Sequence, residues 1–184
     1  LAQSPRVSKL FCLPGSDAIA ELAECVPGDM LDRVAVAKCC AKNKIDLAVV
    51  GPEAPLASGL ADALRRRGLA VFGPGAAGAR LESSKLFAKR FMARAGIATA
   101  GFTALKSATA ARKALKHAAF PLVLKADGLA AGKGVRICRD EREALGAVAD
   151  FMEKRVFGVS GATVLLEDAQ TGDDVLPPGS FASA

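Results

Sequence analysis

Lys125-Ala126-Asp127-Gly128-Leu129-Ala130-Ala131-Gly132-Lys133-Gly134-Val135 decides how the chain is read. It follows the apolar run Pro121–Leu124 and leads into Val135-Arg136-Ile137-Cys138. Three glycines and a lysine in a loop suit an anion: glycine lets backbone N–H groups converge on it, and lysine adds a point charge. A P-loop is the first form to test, and it fails twice. Its pattern needs four residues between Gly and Gly-Lys, whereas only Leu129, Ala130 and Ala131 stand between Gly128 and Gly132. It also needs Ser or Thr after the lysine and then a helix, whereas Gly134 and a strand-like run follow here. The stretch is therefore predicted to be a glycine-rich hairpin between two strands, able to fold over a phosphate-bearing ligand. A plain turn would not ask for Lys133 between two glycines, nor for Lys125 at the end of an apolar strand. At about 4 Å and an effective dielectric near 20, one lysine–phosphate contact gains roughly 4 kcal/mol before desolvation.

Around this loop the chain reads βαββαβ. Phe102–Leu105 is a short strand, and Ser107–Ala118 a helix with Ser107 as N-cap. Pro121–Lys125 and Val135–Cys138 flank the loop as strands. Asp140 opens a helix to about Lys154, with Glu143 in the capping-box position, and Thr163–Leu166 closes the unit. Such an order describes a compact α+β unit. Before it, Ser83 or Ser84 opens a helix through Lys85, Phe87, Phe91 and Met92 to Gly96.

Upstream the style differs. Ile45–Val50 is a short apolar run expected of a buried parallel strand. Gly51-Pro52-Glu53 is its exit loop, and Leu56, Leu60, Ala63 and Leu64 mark the face of one helix ending at Arg65-Arg66-Arg67-Gly68. Three arginines there suit the negative end of the helix dipole and read as a solvated helix end. Leu69–Phe72 is the next strand, and Val7–Leu13 an earlier one; Leu1 onward reads as the end of a helix. A parallel α/β layer follows from this alternation.

Composition bounds the function. The chain has 184 residues, 25 Lys+Arg against 19 Asp+Glu, a net charge of +6 and 51% apolar residues. That apolar content excludes a disordered tail, and no apolar run is long enough to span a bilayer. No signal peptide is visible. Without Tyr or Trp there is little surface for stacking bases, so the positive charge points to small anions rather than nucleic acid. Cys12, Cys25, Cys39, Cys40 and Cys138 form no C-x-x-C pair and read as free thiols. His117, the one histidine, sits on a polar helix face and reads as solvated.

Several motifs together resemble the glycinamide ribonucleotide synthetase (phosphoribosylamine–glycine ligase) family of ATP-grasp enzymes. They are LAQSP at Leu1–Pro5, VVGPEAPLASGLADAL at Val49–Leu64, FGP at Phe72–Pro74, LESSKLFAKRFMARAGIATA at Leu81–Ala100, the loop above, FGVSG at Phe157–Gly161 and VLLED at Val164–Asp168. They fall in the family's order across nearly the whole chain. The resemblance implies an α/β protein: a parallel βα N-terminal layer over 1–82, a linking helix over 83–100 and the small α+β subdomain of the ATP-grasp fold over 101–174. A tail over 175–184 does not match. It also implies an ATP-dependent carbon–nitrogen ligase of purine biosynthesis. Glycine is activated as glycyl phosphate, and the amine of 5-phosphoribosylamine displaces the phosphate. The expected partners are these small molecules, with no nucleic acid or membrane, in the cytoplasm.

The resemblance also implies site residues. Lys85 matches the lysine that reaches the ATP phosphates, with Lys89 one turn on as the weaker candidate. Lys125 matches the lysine deep in the ATP cleft, and Gly128, Gly132, Lys133 and Gly134 the loop over the phosphates. Glu167, Asp168, Ala169 and Gln170 match the segment that reads adenine, Ala169 and Gln170 replacing an apolar pair. Asp174 stands where ribose hydroxyls are bound, usually by Glu. Gly51, Pro52 and Glu53 match a loop assigned to phosphoribosylamine binding or to the interface that shapes that site. Pro14-Gly15-Ser16 departs from the family's Pro-Gly-Asn. The chain is expected to begin inside the family's first helix and to lack the Mg2+ ligands, hence to be an inactive fragment. Another ATP-grasp carboxylate–amine ligase, or a non-catalytic ATP-binding remnant, is the alternative.

Overall fold

Short apolar runs alternating with helices build parallel pairs in the first part of the chain, and hairpin connections build an antiparallel sheet in the second. The computed structural model describes residues 1–130 and 132–169, so Gln170 and Asp174 lie outside the described residues. The chain divides into two units, Leu1–Ala79 and one that begins at Arg80.

In the first unit, β1 (Phe11–Cys12) pairs in parallel with β2 (Glu24–Cys25), and α1 (Asp17–Ala20) connects them. Only two residues of the expected Val7–Leu13 strand pair. Leu1–Leu10 forms turns rather than a helix end, because Pro5 follows too few residues to sustain helical bonds. Helix α2 (Arg33–Lys42) is capped by Asp32, which accepts from Val34 and Ala35 N–H. It leads to β3 (Leu47–Val49), parallel to β4 (Ala70–Phe72). The expected single helix between them is two, α3 (Glu53–Ala57) and α4 (Leu60–Arg65), because Gly59 takes φ +86° and breaks the ladder. Arg65, Arg66 and Arg67 are exposed, as expected of a solvated helix end, and the Arg65 guanidinium also donates to the carbonyls of Val71 and Gly73. Val36, Ala37, Leu60 and Leu64 pack with Ala48, Val50 and Val71 on one side of β3 and β4. The opposite face, with Leu47, Val49 and Phe72, is exposed, so β3 is half-buried rather than buried on both faces.

The second unit opens with α5 (Ala76–Ser83, which straddles the division) and α6 (Lys85–Ala95). Ser84 caps α6 and Gly96 ends it at φ +69°. Then come β5 (Phe102–Leu105), α7 (Ala108–Leu115), β6 (Leu122–Ala126), β7 (Val135–Cys138), α8 (Glu141–Val148) and β8 (Val164–Asp168). This is the βαββαβ order read from the sequence. The sheet runs β5-β8-β6-β7 with every pair antiparallel. Ser107 and Asp140 cap α7 and α8 as expected. Glu143 reaches back to the N–H of Arg139 at 2.9 Å, one residue before the cap. The helix expected to reach Lys154 changes at Ala149 into a π-helical segment to Glu153. Leu105, Leu122, Leu124, Ala126, Cys138 and Val164 meet Ala111, Leu115, Ala144, Val148 and Phe151 in one core. Fully burying a side chain of Leu or Phe size stabilises by about 1.5–3 kcal/mol.

Candidate functional site

Strand alternation decides which side chains leave that core. Leu122, Leu124 and Ala126 face the helices, so Val123 and Lys125 face the other way. Register adds Ile137 opposite Val123 and Val135 opposite Lys125 on β7, and Glu167 and Leu165 opposite the same two residues on β8. Phe102 and Ala104 continue this face on β5. Its β8 side is covered, with Leu165 and Glu167 at most 3% exposed. Towards β7 it is open, Val135 and Ile137 being 45% and 65% exposed. An apolar strip thus lies beside a lysine and a buried carboxylate.

Glu167 is the electrostatic centre of this face. Its Oε2 accepts from Lys89 Nζ and Lys125 Nζ, each at 2.8 Å. Its Oε1 is buried and has no hydrogen-bond partner among the described residues. A carboxylate oxygen held out of water without a donor is costly, and removing one member of a buried ion pair typically costs about 3–5 kcal/mol. Glu167 thus pairs with Lys125 at the end of its apolar strand. Lys89, the weaker candidate, is buried: it is 8% exposed and also donates to Thr99 Oγ1 at 2.8 Å and to the Ala100 carbonyl at 3.1 Å.

The glycine loop springs from the same strand. Its base is tied to the start of α6 by Asp127, which accepts from Ser84 Oγ at 3.2 Å, Leu86 N–H at 3.1 Å and Gly128 N–H at 3.0 Å. Ser84 Oγ also accepts from Phe87 N–H at 3.1 Å, so one hydroxyl caps the helix and holds the loop. Lys85 Nζ donates to the Gly128 carbonyl at 2.9 Å. Gly128 sits at φ +93°, where a Cβ would come 2.7 Å from Ser160 Oγ, and that hydroxyl donates to the Leu129 carbonyl. The 3-10 segment Gly158–Ala162 therefore braces the loop. Lys133 is exposed and its N–H closes a turn to the Ala130 carbonyl; Gly134 is buried, its carbonyl accepting from Ala126. Ser83, Asp127, Gly128, Leu129, Ser160 and Thr163 line an open cleft of about 390 Å³.

The structure thus brings Lys125 and Glu167 together on one sheet face, and Lys85, Gly128, Gly132, Lys133 and Gly134 together at the loop that leaves β6. Asp168 is exposed at the end of β8, and Ala169 follows it. Gly51, Pro52 and Glu53 are exposed in the first unit, where β3 ends and α3 begins. Asp127 was assigned no role from the sequence, although an Asp before Gly at a strand exit signals a side chain that bonds nearby backbone. Among the described residues no group of three His, Cys, Asp or Glu side chains could hold a metal ion.

Comparison with known proteins agrees with this geometry. The chain matches the phosphoribosylglycinamide synthetase N domain over residues 1–82 and the ATP-grasp (A) domain of the same synthetase over residues 83–177. It is 45% identical over 174 residues to a phosphoribosylamine–glycine ligase of Caldanaerobacter subterraneus, covering 95% of this chain and 42% of that protein. It is 43% identical to the human trifunctional purine biosynthetic protein adenosine-3, covering 95% of this chain and 18% of that one. The crystal structure of the Thermotoga maritima phosphoribosylamine–glycine ligase superposes with a TM-score of 0.69 at 29% identity, over 89% of this chain and 38% of that one. A biotin carboxylase from Campylobacter jejuni shares the fold, with a TM-score of 0.71 at 22% identity over 89% of this chain and 40% of that one. The chain spans about two fifths of the single-function ligases it matches. With both consecutive domains matched, the chain belongs to the phosphoribosylglycinamide synthetase family.

Proposed function

We propose that this chain supplies the nucleotide-binding part of an ATP-dependent phosphoribosylamine–glycine ligase. One observation carries the reading: Glu167 keeps a buried, unpartnered Oε1 next to Lys125 and an open strip of Val123, Val135 and Ile137. A flat, apolar heterocycle with an amine on its edge satisfies all three. The strip takes the ring, Oε1 accepts from the amine, and Lys125 meets the negatively charged tail. Adenine carries such an amine, whereas guanine offers a carbonyl oxygen there, which a carboxylate oxygen repels. Asp168 and Ala169 follow Glu167 and add backbone groups at the base; Gln170 is likewise assigned to the base and Asp174 to the ribose.

Lys85, Lys133 and the loop glycines Gly128, Gly132 and Gly134 surround the phosphates in this reading. Fixed donors and cations in a site closed to water stabilise charge that builds as a phosphoryl group moves. The glycine carboxylate attacks the terminal phosphorus and ADP leaves. The amine of 5-phosphoribosylamine then attacks the acyl carbon of glycyl phosphate, and phosphate departs. Gly51, Pro52 and Glu53 are assigned to that amine substrate. ATP-grasp chemistry also uses a divalent metal, but the described residues do not fit one, so no step is derived through it.

Calorimetric titration of the 184-residue chain tests the reading. Saturable binding of ATP, at least about tenfold tighter than GTP as expected when a site's buried polar atom is matched or opposed, supports it. No binding, or equal binding of both nucleotides, contradicts it.

A further inference from the structure

The two lysines on Glu167 Oε2 are not equivalent. Lys89 Nζ meets three acceptors, Glu167 Oε2, Thr99 Oγ1 and the Ala100 carbonyl, all within 3.1 Å. An ammonium has three N–H donors, so Lys89 has none left for a ligand. Its side chain is 10% exposed. Lys125 makes only the contact to Glu167 among the described residues, and its side chain is 28% exposed. Two of its donors are uncommitted.

One carboxylate neutralises one ammonium. If Lys125 were the sole partner of Glu167, its pull on an incoming anion would be opposed by a negative charge 2.8 Å away. With Lys89 present the trio carries a net positive charge, and the surplus falls on its more exposed member. We propose that Lys89 is a positioning residue, a buried counter-ion to Glu167 that releases the charge of Lys125 for a nucleotide's phosphates. It also holds the carboxylate by Oε2, which leaves Oε1 to the base. This inference rests on the nucleotide reading above and assigns Lys89 no contact with the ligand.

A double-mutant cycle tests it, with ATP affinity of the 184-residue chain measured by calorimetry for wild type, Lys89→Met, Glu167→Gln and the double variant. Lys89→Met is expected to weaken ATP binding about tenfold to a hundredfold, the range of one charge-assisted hydrogen bond. In the Glu167→Gln background, where no carboxylate competes for Lys125, the same substitution is expected to change affinity less than about twofold. Lys89→Arg retains the charge and is expected to keep binding within about threefold of wild type. Where Lys89→Met does not fold, as judged by circular dichroism, Lys89→Gln replaces it and carries the same expectations. An equal loss in both backgrounds marks a packing role and overturns the proposal, as does a neutral Lys89 variant with wild-type affinity. Absence of ATP binding by the wild type refutes the nucleotide reading instead, and this inference with it.

Discussion

In the second unit Leu122, Leu124, Ala126, Cys138, Val148 and Val164 are at most 1% exposed, whereas in the first unit Leu47, Val49 and Phe72 leave 52%, 49% and 71% of their surfaces accessible. The connections explain the contrast. Antiparallel strands joined by a hairpin and by α7 and α8 complete a four-stranded sheet from neighbouring segments, and both helices fall on one face. The parallel pairs of the first unit are two strands each, and helices cover β3 and β4 on one side only among the described residues. Parallel sheets in α/β proteins are covered on both faces. An apolar residue in a strand is therefore not by itself a core residue; the layer opposite decides.

The sharpest way to break this comparison is to cut the same side chain from each unit. Phe151 is 1% exposed and packs edge-on against Phe157 at 5.2 Å, so Phe151→Ala is expected to lower unfolding stability by about 3–5 kcal/mol in urea titrations. Phe72→Ala is expected to cost less than about 0.5 kcal/mol, because it empties no packed space. Similar losses at both positions would mean that the exposed face is covered in solution. Next in size is Asp127→Ala. It strands the N–H of Leu86 and the hydroxyl of Ser84, at roughly 1–3 kcal/mol, and should speed hydrogen exchange at Gly128 and Leu86 while the first unit stays unchanged.

The smallest effect concerns pH. Hydrogen bonds from Lys154 and then Arg136 hold the Asp150 carboxyl below its ordinary 3.8. A lowered carboxyl contributes stability that is complete above the ordinary value and is lost as pH falls through the lowered one. Asp150→Asn should therefore flatten the acid limb of the second unit's stability curve below about pH 4 and leave neutral pH little changed, a surface pair being worth little. An unchanged acid limb would show that these contacts do not persist in solution.

Much of the second unit was legible because its signals are local. Ser84, Ser107 and Asp140 announce helix starts, Gly96 a stop, and the glycine loop a hairpin. Helix α5 was missed because its weak sequence, Ala76-Ala77-Gly78-Ala79, is capped from a distance: Asp62 Oδ2 accepts from Ala76 N–H at 2.8 Å. The burial of Lys89 was illegible for a similar reason. A lysine at an i+4 spacing from Lys85 reads as a helix surface, and only the insertion of β8 between β5 and β6 brings Glu167 beneath it. The partner of Lys125 was illegible for the same cause, lying 42 residues away. Motif and resemblance proposed the candidate residues, but only tertiary pairing distinguishes Lys89, with three acceptors, from Lys125, with one among the described residues.

Binding of ATP to the wild-type chain and to Lys125→Ala tests the central claim most directly. The chain has no Trp or Tyr to report by fluorescence, so calorimetry is the measurement. The account predicts saturable binding that weakens at least about tenfold when the Lys125 ammonium is removed, the equivalent of about 1.4 kcal/mol, with the fold retained. Equal affinity in the two proteins, or no binding by the wild type, would contradict it.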